Sequence, residues 1–123
     1  MDPSMKTPKD IRAALTGPIP TVRTPFDREG RIDYPALRNM VEFTLQAGAT
    51  SIVLTAGDSH LIALSDQEIA DLTRAVAEQV RGRALVVAAD RYYDTKQAIA
   101  FAQYAAGVGA DVLMVLPPDW SQS

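Results

Sequence analysis

The fold is decided by a stretch at residues 48–55, which reads GATSIVLT. A glycine is followed almost at once by a short apolar run that does not alternate with polar residues. Glycine is the usual residue just past the end of a helix, because it adopts a positive φ without strain. A continuous apolar run is typical of a strand that is covered on both faces. The stretch therefore predicts a helix-to-strand junction of a parallel α/β fold.

The same junction returns at residues 109–116, which read GADVLMVL. Short aliphatic or β-branched runs alternate with segments of helical period along the whole chain, and their starts are roughly 30 residues apart, the size of a βαβ step. The predicted strands occupy residues 19–24, 51–55, 84–89 and 112–116.

Three helices are predicted between these strands. Each begins at a residue that can cap a helix and ends before a glycine; the capping residues are Asp33, Ser65 and Asp94. Ser65 with Glu68, and Asp94 with Gln97, have the spacing of a capping box. In the third helix the predicted inward face consists of Ile99, Ala102 and Ala106.

The composition limits the class of protein. The chain has 123 residues, of which 47% are hydrophobic and 22% are charged, and its net charge is −3. This length allows one domain, and the scattered basic residues argue against a nucleic-acid partner. The absence of cysteine excludes disulfides and thiolate metal sites, so the cytoplasm is the expected compartment. No apolar run approaches the roughly 20 residues that cross a bilayer, so no membrane partner is expected.

The predicted strand order leaves one face of the sheet bare. Right-handed crossovers in a steady order place all three helices on the same side. A (β/α)8 TIM barrel needs about 250 residues, and four units are roughly half of it. We therefore predict an N-terminal lead-in with a short helix at residues 1–16, and the N-terminal half of a TIM-barrel domain at residues 17–123. A small doubly wound sheet is the alternative.

Polar and aromatic residues follow the predicted strands, at the edge where parallel α/β folds carry their chemistry. After the second, third and fourth strands these residues are Gly57, Asp58, Ser59 and His60, then Asp90, Arg91, Tyr92 and Tyr93, then Asp119 and Trp120. Any functional site is expected here. The spacing of Asp58, His60 and Asp90 matches no recognised metal-binding pattern, so no metal is expected.

Several ordered segments carry a resemblance to a known family. They are TPF at 24–26, GATSIV at 48–53, LSDQE at 64–68, residues 95–102, GAD at 109–111 and PP at 117–118. Together they resemble the dihydrodipicolinate synthase and N-acetylneuraminate lyase family of class I aldolases, from Gly17 to Trp120. The resemblance implies a (β/α)8 barrel in which a lysine forms a Schiff base with a 2-oxo acid, with no cofactor, in a homo-oligomer (a dimer or a tetramer).

The resemblance places the covalent step elsewhere in the family's sequence. The family's lysine lies on the sixth strand and its acid/base tyrosine near the fifth, so both would fall beyond Ser123. The lysines of this chain are Lys6, Lys9 and Lys96, and none of them ends a predicted strand. We therefore expect no catalytic residue within these 123 residues, and the chain alone is expected to be inactive.

The chain departs from the family's pattern at the predicted pocket. The family's Gly-Thr-Thr-Gly-Glu loop is AGDSH at residues 56–60, so Gly57 and Asp58 replace two threonines that help hold the substrate carboxylate. Asp58 would repel a carboxylate unless it is protonated or paired. Asp119 and Trp120 replace a tyrosine pair, and an indole cannot relay a proton as a phenol does.

The residues expected to bind the substrate are Gly57, Asp58, Ser59, His60 and Arg91. His60 could act as an acid or base, or it could fill a gap beside Leu61. Arg91 could grip a carboxylate with two donors, or it could pair with Asp90 or Asp94. Trp120 is expected at an interface, because the family's matching position reaches toward a neighbouring subunit.

Three functions are therefore open. The first is a lyase or aldolase acting on a 2-oxo acid of the pyruvate type. The second is a catalytically inactive half-barrel that functions through self-association or a partner chain. The third is a flavodoxin-like binding domain, which the sequence favours least because residues 24–27 lack a glycine-rich phosphate loop.

Overall fold

A computed structural model describes residues 6–54, 60–91 and 94–115 of the chain. Within these ranges, four α-helices, one 3₁₀ turn and three strands follow one another as α1 (Pro8–Ala14), α2 (Tyr34–Gln46), β1 (Ser51–Val53), the 3₁₀ turn (Leu61–Ala63), α3 (Asp66–Val80), β2 (Leu85–Ala89), α4 (Thr95–Val108) and β3 (Val112–Met114). The strands are parallel and lie in the order β1-β2-β3. Three of the four predicted strand positions are thus occupied by strands.

The prediction of a regular first strand at residues 19–24 is wrong. This segment makes a single parallel bridge, between Thr21 and Val53. The N–H of Val22 donates to the carbonyl of Val53 at 3.0 Å, and the N–H of Val53 donates to the carbonyl of Pro20 at 2.9 Å. Prolines at positions 18 and 20 have no N–H to donate, so the ladder cannot continue toward the amino end of the segment. The segment still lies parallel to β1, at the position predicted for the first strand.

The predicted caps of α2 and α3 are confirmed. The Asp33 side chain accepts from the N–H of Ala36 at 3.0 Å. Ser65 and Glu68 each accept from the other's backbone N–H, at 3.1 and 2.9 Å, and so form the capping box. The box predicted for α4 is wrong, because the Asp94 side chain accepts from Lys96 at 3.4 Å and forms no box with Gln97.

The predicted inward face of α4 is wrong at Ile99 and Ala106, whereas Ala102 is half-buried. Its buried residues are Phe101 and Ala105, whereas Ile99 is 53% exposed and Ala106 is exposed. Phe101 carries the largest apolar side chain of the helix, and burying it sets the rotation of the helix about its axis. Ile99 precedes it by two residues, which at about 100° per residue places it on the opposite side. The hydroxyl of Tyr104 donates to the carbonyl of Ala70 on α3 at 2.8 Å and holds this orientation.

All three long helices cover one face of the sheet. Alternate strand residues point to opposite faces: Ile52 and Val86 belong to a large core cluster with residues of α2, α3 and α4. Val53 and Val87 form a separate small cluster with Val112 and Met114, to which no helix contributes among the described residues. The arrangement has the one-sided helix layer that the predicted half-barrel requires.

An ion pair joins the end of α2 to the segment before β2. Arg83 donates from Nη1 and Nη2 to the two carboxylate oxygens of Glu42, at 2.8 and 3.0 Å, and Nη2 also donates to the carbonyl of Gln79 at 3.1 Å. The hydrogen bonds from Arg83 lower the pKa of Glu42 below its ordinary value of 4.5. The pair is therefore a source of pH-dependent stability.

A carboxyl group whose pKa is lowered by folding stabilises the protein above its unfolded pKa, and this stabilisation is lost as the pH falls through the folded pKa. We expect the denaturant concentration at the unfolding midpoint to decrease as the pH is lowered below 4.5, and protonation of Glu42 to be one cause of the decrease. Glu42→Gln should flatten this part of the pH profile, as should Arg83→Gln, which restores the ordinary pKa of the carboxyl. Chemical denaturation between about pH 6 and pH 3, across the ordinary carboxyl range, measures the effect. Profiles that match the parent protein in both variants would contradict it.

Candidate functional site at the carboxyl edge of the sheet

The segments that follow the first three strand positions meet at one edge of the sheet. Thr24 is buried and precedes a tight hairpin in which Phe26 bridges to Ile32. His60 precedes the 3₁₀ turn after β1, and Asp90 directly follows β2. Because these segments run parallel, their carboxyl ends converge, which is where parallel α/β proteins bind ligands.

Asp90 is the buried carboxylate of this edge. Its side chain is 1% exposed, and it follows the five buried residues of β2 without an intervening turn. Its position directly after an apolar strand was visible in the sequence, but its burial was not. A buried carboxylate interacts strongly with any charge brought to the edge, because the surroundings screen it less than water does.

His60 adopts a left-handed backbone conformation, with φ 62° and ψ 34°. For a residue other than glycine this costs about 1–2 kcal/mol. The imidazole is exposed and meets the edge of the Phe26 ring, with ring centroids 6.0 Å apart and planes 61° apart. The neighbouring Leu61 is buried, and both roles considered for His60, an acid or base and a residue that fills a gap beside Leu61, stay predictions.

Arg91 connects the end of β2 to the segment after β1. Its Nη1 donates to the carbonyl of Leu61 at 3.0 Å, and its Nη2 donates to the carboxylate of Asp66 at 2.9 Å. The ion pair predicted as an alternative, with Asp90 or Asp94, is thus made with Asp66 instead. Asp66 was not predicted from the sequence as a residue of this edge, although it lies at the start of a predicted helix whose amino end faces the edge.

The structure brings two of the predicted substrate-binding residues together. His60 and Arg91 lie on neighbouring segments and are linked through Leu61. The other predicted positions, Gly57, Asp58, Ser59 and the interface residue Trp120, lie outside the described residues.

Lysines occupy other parts of the chain. Lys6 pairs with Asp111 at 3.2 Å, where β3 begins. Lys9 is on α1 and Lys96 is exposed near the start of α4. None of the three ends a strand. Across the described ranges, no three side chains of the metal-ligating types come together. Nor does any helix in the described part of the chain have the length and apolar character that would span a bilayer.

Comparison with known proteins supports this architecture. The model of the dihydrodipicolinate synthetase family matches residues 14–122. The 4-hydroxy-tetrahydrodipicolinate synthase of Pseudomonas aeruginosa is 32% identical over 108 residues, covering 88% of this chain and 37% of that enzyme. The enzyme of the same name from Xanthomonas axonopodis pv. citri is 36% identical over 107 residues, covering 87% of this chain and 35% of that enzyme. The chain thus spans little more than a third of the length of these curated relatives.

Solved structures match to a similar extent. Dihydrodipicolinate synthase from Bacillus clausii superposes with a TM-score of 0.81 at 34% identity, over 85% of this chain and 36% of that one. YagE from E. coli K12, a prophage protein of the dihydrodipicolinic acid synthase family solved in complex with pyruvate, gives a TM-score of 0.82 at 25% identity over 89% of this chain and 37% of that one. These relatives are TIM barrels, so the prediction of a partial (β/α)8 barrel is confirmed. With its parallel strands, its one-sided helix layer and a family match over nearly its whole length, this chain belongs to the dihydrodipicolinate synthetase family.

Proposed function

We propose that the chain supplies the N-terminal part of a lyase or aldolase that acts on a 2-oxo acid of the pyruvate type. The observation that carries this proposal is the superposition on barrels of the family, one of which was solved with pyruvate bound. The carboxyl edge described above is the part of such a barrel at which a substrate would enter. Hence this chain would form one side of the pocket.

The covalent step is proposed for a lysine beyond Ser123. Its neutral amine would attack the 2-oxo carbon, and the adduct would take up one proton and lose water, which leaves an iminium. The iminium withdraws electrons from the neighbouring carbon, so a C–H or C–C bond at that carbon can break and leave its electron pair as an enamine. Lys6, Lys9 and Lys96 do not serve this role in our proposal, because none of them ends a strand.

The contribution of this chain is recognition. We propose that Gly57, Asp58, Ser59 and His60 line the carboxylate end of the pocket and that Arg91 belongs to its rim. The assignment of His60 and Arg91 to this part of the pocket is supported by their positions at the carboxyl edge. Asp90 is buried at the same edge of the sheet. Together with Asp58 it would give this end more acidic groups than a pair of threonines would, so the preferred 2-oxo acid is expected to differ from unsubstituted pyruvate.

Trapping with borohydride tests the proposal. The full-length protein, incubated with pyruvate or a longer 2-oxo acid and then reduced, should carry a stable adduct on one lysine, found by mass spectrometry of peptides. The same protein reduced without the oxo acid is the control. If none of the 2-oxo acids tested gives an adduct, the lyase assignment is overturned. The self-associating half-barrel, the homo-oligomeric state, the interface role of Trp120 and a cytoplasmic location stay predictions.

A further inference from the structure

We propose that Arg91 is a positioning residue that holds His60 at the pocket rim. Its effect on catalysis rests on the proposed function, but its effect on His60 does not. The proposal assigns a specific role to a charged residue that the sequence left open between a substrate contact and a surface ion pair.

Arg91 contacts both ends of the short segment that follows His60. Leu61, whose carbonyl accepts from Nη1, is the first residue of the 3₁₀ turn, and Asp66, which accepts from Nη2, is the first residue of α3. The backbone of Arg91 directly follows Asp90 and β2, all five residues of which are buried. One planar guanidinium thereby joins the three-residue turn and the start of α3 to the end of β2.

The position of His60 needs such support. Its left-handed backbone is unfavourable for a residue with a Cβ, and a 3₁₀ turn has weak internal hydrogen bonds. The segment is anchored in the core by Leu61 and Leu64, which are both buried. Arg91, after β2, donates to the carbonyl of Leu61, and the Phe26 ring contacts the His60 imidazole. These contacts connect the segments that follow the first three strand positions.

The same contacts argue against Arg91 as a substrate ligand. Two of its five N–H donors already donate to the protein, and the side chain is only 29% exposed. A substrate carboxylate would have to share the guanidinium with the carboxylate of Asp66, which lies 2.9 Å from Nη2 and repels a second anion. A partly buried arginine with two fixed acceptors loses little entropy in staying where it is. Positioning is therefore the role that its contacts support.

His60 provides the direct readout, because it is the only histidine among these 123 residues. We expect an NMR cross-peak between the Phe26 and His60 rings, with the imidazole signals assigned by their loss in His60→Gln. Arg91→Gln should abolish the cross-peak and move the imidazole signals toward those of an unstructured peptide. Asp66→Asn should act in the same direction, and Arg91→Lys should restore the cross-peak in part. Arg74→Gln, which removes an exposed ion pair with Glu78 on α3, is the matched control and should change neither.

Kinetics of the full-length enzyme separate positioning from direct binding. Misplacing a recognition group by about 1 Å can cost up to about 100-fold, so Arg91→Gln should lower kcat/KM by about 10- to 100-fold. Asp66→Asn, which would not touch the substrate, should lower it too, and the double variant should lose less than the product of the two single losses. A loss in Arg91→Gln alone, with the cross-peak intact, would overturn the proposal, as would a cross-peak that no variant of Arg91 alters. Because the NMR result does not depend on activity, failure of the lyase assignment would be recognised separately.

Discussion

Ile69→Ala is expected to lower the free energy of unfolding by about 2–5 kcal/mol, the usual cost of emptying a fully buried aliphatic site. Ile69 is 0% exposed and lies on the face of α3 that packs into the main core cluster. The lost methyl and methylene groups leave a cavity, and the flanking helices restrict how far it can collapse. Thermal or chemical denaturation of the parent protein and the variant measures the difference.

Ile99→Ala is the matched control, because it makes the same chemical change on α4. Ile99 is 53% exposed, so we expect a loss within about 0.5 kcal/mol. The comparison also tests the rotation of α4, which the sequence alone predicted differently. Equal losses in the two variants would mean that α4 turns Ile99 inward, contrary to the structure.

Asp111→Ala is expected to cost about 1–3 kcal/mol, because it leaves a buried backbone donor without an acceptor. The carboxylate of Asp111 accepts from the N–H of Val86 at 2.9 Å and from Nζ of Lys6 at 3.2 Å. In return the N–H of Asp111 donates to the carbonyl of Val86 at 2.9 Å, so the side chain completes the ladder between β2 and β3. Val86 is 2% exposed, so water has little access to replace the carboxylate as acceptor for the Val86 N–H.

Two variants divide the contributions of Asp111. Asp111→Asn keeps an oxygen for Val86 and should lose less than the alanine variant. Lys6→Gln removes only a partly exposed ion pair, worth about 0–1 kcal/mol. Denaturation midpoints of the three variants should therefore rank alanine as the most destabilised. A loss in Lys6→Gln as large as in Asp111→Ala would show that the ion pair, and not the ladder contact, matters.

The features that the sequence predicted correctly depend on neighbouring residues. Asp33 and Ser65 cap their helices through atoms within three residues, so the pattern itself contains both partners. β2 follows from five consecutive apolar residues. Order and spacing of such units were enough to predict a parallel, one-sided arrangement and the edge that carries the candidate site.

The features that the sequence predicted wrongly depend on distant partners. The sequence of α4 has apolar residues on all sides of the helix. Packing against α3 decides that Phe101 is buried and that Ile99 is exposed. The first strand fails because prolines remove the donors that its ladder needs. Arg91 had acidic neighbours on both sides in sequence, yet it pairs with Asp66, 25 residues away. Local pattern contains no information on which of these carboxylates the fold brings within reach.

The contact between Lys6 and Asp111 spans 105 residues of sequence. On the ribosome, Asp111 is added 105 residues after Lys6, when α1 to α4, β1 and β2 have all been translated. Closing this loop costs conformational entropy, and less of it is lost at this step when the intervening units have already folded. We therefore expect the contact between Lys6 and Asp111 to form after the helices and strands between them.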